Sequence, residues 1–101
     1  MDDRIERLAR KGQRMRRDGE VRKAALAYGE LTAADPSTPR WWVLLAMAQW
    51  ALRRPEEARK SFRQAAYLFR QSGDSAREAV VRGLLDRLEA DGDRCPCARA
   101  A

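Results

Sequence analysis

Apolar residues recur along this chain at spacings of three and four, and short polar breaks divide the pattern into five segments. The first segment predicts a helix over about residues 3–17, with Ile5, Leu8, Gly12 and Met15 on one side. Asp18-Gly19 stops it, because glycine readily takes left-handed backbone just past a helix end. A second helix spans about residues 20–34 with Ala24, Tyr28 and Leu31 facing inward. It ends at Asp35-Pro36, since the residue before proline is pushed out of helical geometry. Thr38 is expected to cap a third helix, with Pro39 at the first position, where a missing N–H costs nothing. The inner stripe of that helix reads Trp42, Leu45, Ala46 and Gln49. Pro55 opens a fourth helix in the same way, Glu56 and Glu57 sit at its positive end, and Ala58, Phe62, Ala65 and Phe69 form its core positions. Ser72-Gly73 breaks the chain, and Asp74 or Ser75 caps a fifth helix reaching about residue 90. Ala76, Ala79, Val80, Leu84, Leu85 and Leu88 are its apolar positions, and residues 94–101 read as a flexible tail.

Two stretches of this pattern superimpose at an offset of 34 residues. Leu8 pairs with Trp42, Gly12 with Ala46, Ala24 with Ala58, Tyr28 with Phe62 and Leu31 with Ala65. Small residues recur where helices touch and large ones fall between them, which is the mark of an all-α, antiparallel helix-turn-helix solenoid. Short connections force consecutive helices antiparallel. Neither unit could bury its apolar face alone, so the reading is a single domain over residues 1–93. Repeat one covers about residues 5–38, repeat two about 39–72, and a capping helix about 74–91.

The residues at these positions resemble the tetratricopeptide repeat family. Trp42-x-x-Leu45-Ala46, then Ala58-x-x-x-Phe62 and Ala65, is similar to the family pattern, and repeat one supplies Leu8, Gly12, Ala24-x-x-x-Tyr28 and Pro36. Lys11, Gln49 and Arg70 depart from it, standing where a leucine, a tyrosine and a proline are usual. The resemblance implies a concave groove lined by the first helix of each pair, holding a partner segment. Carried onto this chain, the groove positions are Glu6, Ala9, Gln13, Arg16 and Arg17, followed by Arg40, Val43, Met47, Trp50 and Ala51. Val43, Met47 and Trp50 share one helix face, so Trp50 and Met47 are the expected apolar anchors, with Arg16 and Arg17 selecting an acidic neighbour; the alternative is that the fifth helix bends over and covers Trp50 and Met47. Ala9, Gln13 and Leu44 stand where the carboxylate-clamp subfamily carries its Asn and Lys/Arg residues, so capture of a chain-terminal carboxylate is not expected.

Composition sharpens this picture. With 101 residues, the chain is one domain burying roughly 65% of its unfolded surface. At 45% hydrophobic and 36% charged residues it reads as ordered rather than disordered. A charged N-terminal stretch, Met1-Asp2-Asp3-Arg4, leaves no room for a secretory signal or transit peptide there, and a cytoplasmic location is expected. The excess of Arg and Ala matches GC-rich coding and suggests a bacterial source.

The formal charge of +6 attracts polyanions. Arg7, Arg10, Arg14 and Arg17 run along one side of the first helix and could track phosphates, or could be a solvated face neutralised in part by Asp2, Asp3 and Glu6. Cys95-Pro96-Cys97 is two ligands short of a zinc site in a chain with no histidine, so no metal and no cofactor are expected. Lacking histidine and a glycine-rich phosphate loop, the chain offers no constellation for catalysis. The function expected is a non-catalytic adaptor, scaffold or chaperone-like module that binds a protein segment with apolar and acidic residues. The alternatives are a nucleic-acid or polyanion module using the arginine stripe, and a homo-oligomer built by repeat stacking.

Overall fold

In the computed structural model, described over residues 3–92, the five segments are five helices: α1 (Asp3–Arg17), α2 (Val21–Ala34), α3 (Pro39–Ala51), α4 (Pro55–Gln71) and α5 (Ser75–Asp91). The fold is all-α. Each helix packs against the next in the chain, α1 on α2, α2 on α3, α3 on α4 and α4 on α5. None is long and apolar enough to cross a membrane. Cys95, Cys97 and the expected tail lie outside the described residues.

Two cores result, and α3 belongs to both. One gathers Leu8, Ala24, Tyr28, Leu31, Leu45 and Ala48 from α1, α2 and α3. The other gathers Ala46, Trp50, Phe62, Phe69, Val81 and Leu88, with their neighbours, from α3, α4 and α5. Trp42, half-buried, packs against both cores while its indole N–H donates to the Pro36 carbonyl at 2.9 Å. A helix held between two cores must be apolar on all sides, and α3 is, whereas α1 and α4 carry one apolar face each.

The 34-residue offset is visible in the packing. Gly12 and Ala46, Ala24 and Ala58, Tyr28 and Phe62, and Leu31 and Ala65 are all buried. A Cβ at Gly12 would overlap the Tyr28 ring, so the absence of a side chain there lets α1 and α2 close on that ring. Gln49, polar in the inner stripe of α3, is satisfied: its Oε1 accepts from Ser61 Oγ at 2.7 Å.

The offset does not carry through α5. Ala76, Ala79 and Val80 are exposed, and the inward stripe is Val81, Leu85 and Leu88 with Leu84 half-buried.

The same turn closes α1, α3 and α4. In the first, the Gly19 N–H donates to the Arg16 carbonyl and the Glu20 N–H to the Met15 carbonyl. Arg53 and Arg54 repeat these bonds to Trp50 and Gln49, and Gly73 and Asp74 to Arg70 and Phe69. This is the paired hydrogen-bond pattern of a left-handed helix cap. The left-handed residue is Gly19 (φ 80°), Arg53 (φ 60°) and Gly73 (φ 79°) in turn. Arg53 therefore holds, with a Cβ, a conformation that costs a non-glycine residue about 1–2 kcal/mol. Replacing Arg53 by Gly should stabilise the domain by about 1 kcal/mol, raising the melting midpoint by about 4–8 °C in a thermal scan. An unchanged or lower midpoint would show that this turn carries no strain.

Candidate partner-binding groove

Position of the groove follows from the way α3 starts. Asp35 takes three side-chain hydrogen bonds: from Thr38 Oγ1 at 2.7 Å, from the Trp41 indole at 2.9 Å and from Ser37 Oγ at 3.5 Å. Thr38 stands at the N-cap of α3, but its side chain makes no cap bond to the helix; the hydroxyl is spent on Asp35. These bonds, led by that from Thr38, hold the Asp35 carboxyl below the ordinary carboxylate range. They also fix where α3 begins and so where Arg40, Val43 and Leu44 project. Arg40 lies with its guanidinium 5.5 Å from the centre of the Trp41 ring.

Facing α3 is α5, whose start is set by Asp74. Its Oδ1 accepts the Arg77 backbone N–H at 3.1 Å, and its Oδ2 accepts Arg77 Nη1 at 2.7 Å. Those bonds lower the Asp74 pKa. Between the two helices runs an open groove of about 670 Å³. Its walls are Val43 and Leu44 of α3 and Val80, Val81 and Leu84 of α5, and Phe69 of α4 also lines it. Thr38, Pro39, Arg40 and Arg77 complete the lining. Each wall carries the same short pattern, an arginine followed at three and four residues by two aliphatics: Arg40, Val43, Leu44 and Arg77, Val80, Val81.

This groove differs from the expected one in three respects. Trp50 is no anchor: it is fully buried, its ring meets Phe62 edge-on at 6.2 Å and 87°, and its N–H donates to the Gly92 carbonyl at 3.0 Å. Met47 is half-buried and packs against the second core rather than lining the groove. Gln13, Arg16 and Arg17, on α1, are not part of this lining either; Gln13 is half-buried and both arginines are exposed. Arg40 and Val43, also named for the expected groove, do line this one. The α5 wall was missed, although Arg77, Val80, Val81 and Leu84 show helical spacing, because the fifth helix was read as a cap over the second repeat.

The arginine stripe of α1 is separate. Arg7, Arg10, Arg14 and Arg17 are all exposed, and of the four only Arg10 is in an ion pair among the described residues, 3.6 Å from Glu6. The helix holds seven basic residues and two acidic ones, so it accounts for most of the chain's net +6.

No family model, curated protein or solved structure matches this chain.

Two outcomes test this geometry. Trp50→Ala should cost about 3–5 kcal/mol, as truncation of a buried aromatic does, and lower the melting midpoint sharply. A variant melting like the wild type would return Trp50 to the surface. Asp35 has a folded pKa below its unfolded one, so its stabilisation is present above the unfolded pKa and is lost as pH falls through the folded value. Asp35→Ala should therefore cost about 1 kcal/mol near neutrality and progressively less as the pH drops below about 4, measured by urea unfolding. An equal cost at pH 3 and pH 7 would remove the carboxylate from this role.

Proposed function

We propose that the protein is a non-catalytic interaction module of the tetratricopeptide type, which takes a partner segment into the groove between α3 and α5. The observation that carries this reading is the groove itself, apolar along both walls with an arginine on each helix at one end. A segment presenting aliphatic or aromatic side chains at helical spacing, with an acidic residue beside them, matches its shape and charge. The burial of equivalent residues 34 apart supports the repeat reading, because it is what stacked helix pairs of one design produce.

A second reading draws on α1. Its stripe of exposed arginines, largely without acidic partners, would bind a polyanion through phosphate contacts, whose affinity falls steeply with salt. The two readings concern different faces and respond to different substitutions.

The test is a peptide-library selection on the immobilised protein, with Val80→Glu as the control variant. Val80 is 63% exposed, so the substitution leaves the core intact while placing a charge on the groove wall. Selected peptides should be enriched in apolar residues at spacings of three and four with neighbouring Asp or Glu. Their affinity should fall about thirtyfold in Val80→Glu, the loss of roughly 2 kcal/mol expected for a groove contact. Peptides of unselected composition, or equal affinity for both proteins, would overturn the groove reading. Capture of RNA that is salt-sensitive and lost when Arg7, Arg14 and Arg17 become Gln would favour the stripe.

A further inference from the structure

The outer face of α4 carries a row of side chains that neither the groove nor the α1 stripe uses. Lys60, Arg63, Tyr67 and Arg70 stand at spacings of three, four and three, so they share one side of the helix. Ala58, Phe62, Ala65 and Phe69 occupy the buried side, against α3 and α5. All four residues of the row are exposed, Tyr67 by 55%. Its three cations are in no ion pair among the described residues. Glu56, four residues before Lys60, is held by Arg59 at 2.7 Å.

The fold does not ask for this row. The places 34 residues earlier hold Leu26, Gly29, Ala33 and Pro36, with no cation and no ring. Arg70 has a local use, since a cation in the last turn of a helix faces its negative end. Lys60, Arg63 and Tyr67 have no such use. The Tyr67 ring meets no other ring and no cation among the described residues, so its faces are open.

An open ring set between unpaired cations has a definite complement. The cations want repeated negative charge, and the ring wants a flat apolar face beside that charge. A single-stranded nucleic acid offers both, phosphates along its backbone and bases free to stack. A duplex keeps its bases in its own stack and offers only phosphates. An acidic peptide offers charge without the flat partner. We propose that the outer face of α4 binds single-stranded nucleic acid, one base stacking on Tyr67 while Arg63 and Arg70 hold the flanking phosphates and Lys60 reaches the next. Arginine forks suit phosphate oxygens, and contacts of this kind read no base sequence. The site is independent of the groove between α3 and α5. It also differs from the α1 stripe, which has no aromatic residue among its arginines.

Fluorescence anisotropy tests this with the whole protein and a labelled single strand of about 12 nucleotides, mixed in sequence. The same strand annealed to its complement, a polyphosphate chain and polyglutamate are the comparisons. The wild type should bind the single strand more tightly than the duplex or polyglutamate. Tyr67→Leu, an exposed change, should weaken the single strand about tenfold, the loss that stacking on a ring accounts for, and leave polyphosphate binding unaltered. Tyr67→Trp should bind as the wild type does. Replacing Lys60, Arg63 and Arg70 by Gln should reduce the slope of log affinity against log salt by about 2, at roughly 0.7 per phosphate contact. Equal single-strand affinity in wild type and Tyr67→Leu, or no binding by the wild type, would overturn the site. Tighter binding of polyglutamate would remove nucleic acid as the partner. A loss confined to the variant with Arg7, Arg14 and Arg17 changed to Gln would assign the binding to α1 and sink the α4 site.

Discussion

The structure depends on α3 being gripped from both sides. Leu45 and Ala48 turn toward α1 and α2, Ala46 and Trp50 turn toward α4 and α5, and Trp42 reaches both. A close-packed interior transmits small displacements, so a roll of α3 that relieves one core disturbs the other. Its ends are held as well. Asp35 gathers Thr38 and Trp41 at the start, and the left-handed turn at Arg53 closes the finish. The residues α3 presents outward, Arg40, Val43 and Leu44, are therefore delivered on a rigid element, which is what a binding surface needs.

How far this was legible in the sequence depended on whether a residue's surroundings were local. Gly12 with Tyr28, and Ala46 with the α4 residues, are contacts between neighbouring helices, and the 34-residue pattern announced them. Helix boundaries were legible for the same reason, since Gly19, Pro39, Pro55 and Gly73 act on their own few residues. Trp50 was not legible. On a helix that is apolar all round, periodicity does not say which side faces solvent, and what closes over Trp50 is the Gly92 carbonyl, 42 residues away. Val80 was not legible either. The expectation listed the apolar positions of α5 without saying which face solvent, whereas Val80 is exposed on the groove and Val81 is buried in the core. The α5 half of the groove was thus not read from the sequence.

Charge and apolar surface are divided between elements, so that under the proposed reading attraction and selection would fall on different faces. The basic excess sits on α1, at the edge of the fold, while the groove walls come from α3 and α5. With a screening length of about 8 Å at physiological salt, exposed arginines act on a partner only once it is near. An acidic segment drawn toward α1 would be held only if its apolar residues also fit between Val43 and Val80. A purely anionic chain would gain the first contribution without the second. If both faces met one partner, salt sensitivity and groove sensitivity would report different parts of that encounter.

The two repeats also serve as internal controls for each other. Where one has Gly19, the other has Arg53 in the same left-handed conformation; where one has Phe62, the other has Tyr28 in the same buried position. In each pair the chain itself contains the less costly solution, so neither the strained arginine nor the orphaned hydroxyl is imposed by the fold. Arg53 is exposed at a turn, and its charge is the only visible return on its strain. Tyr28 is different, because its excess group is a fully buried hydroxyl with no hydrogen-bond partner among the described residues. Phe62 shows that packing at this place does not demand the hydroxyl, so its cost is particular to the first repeat.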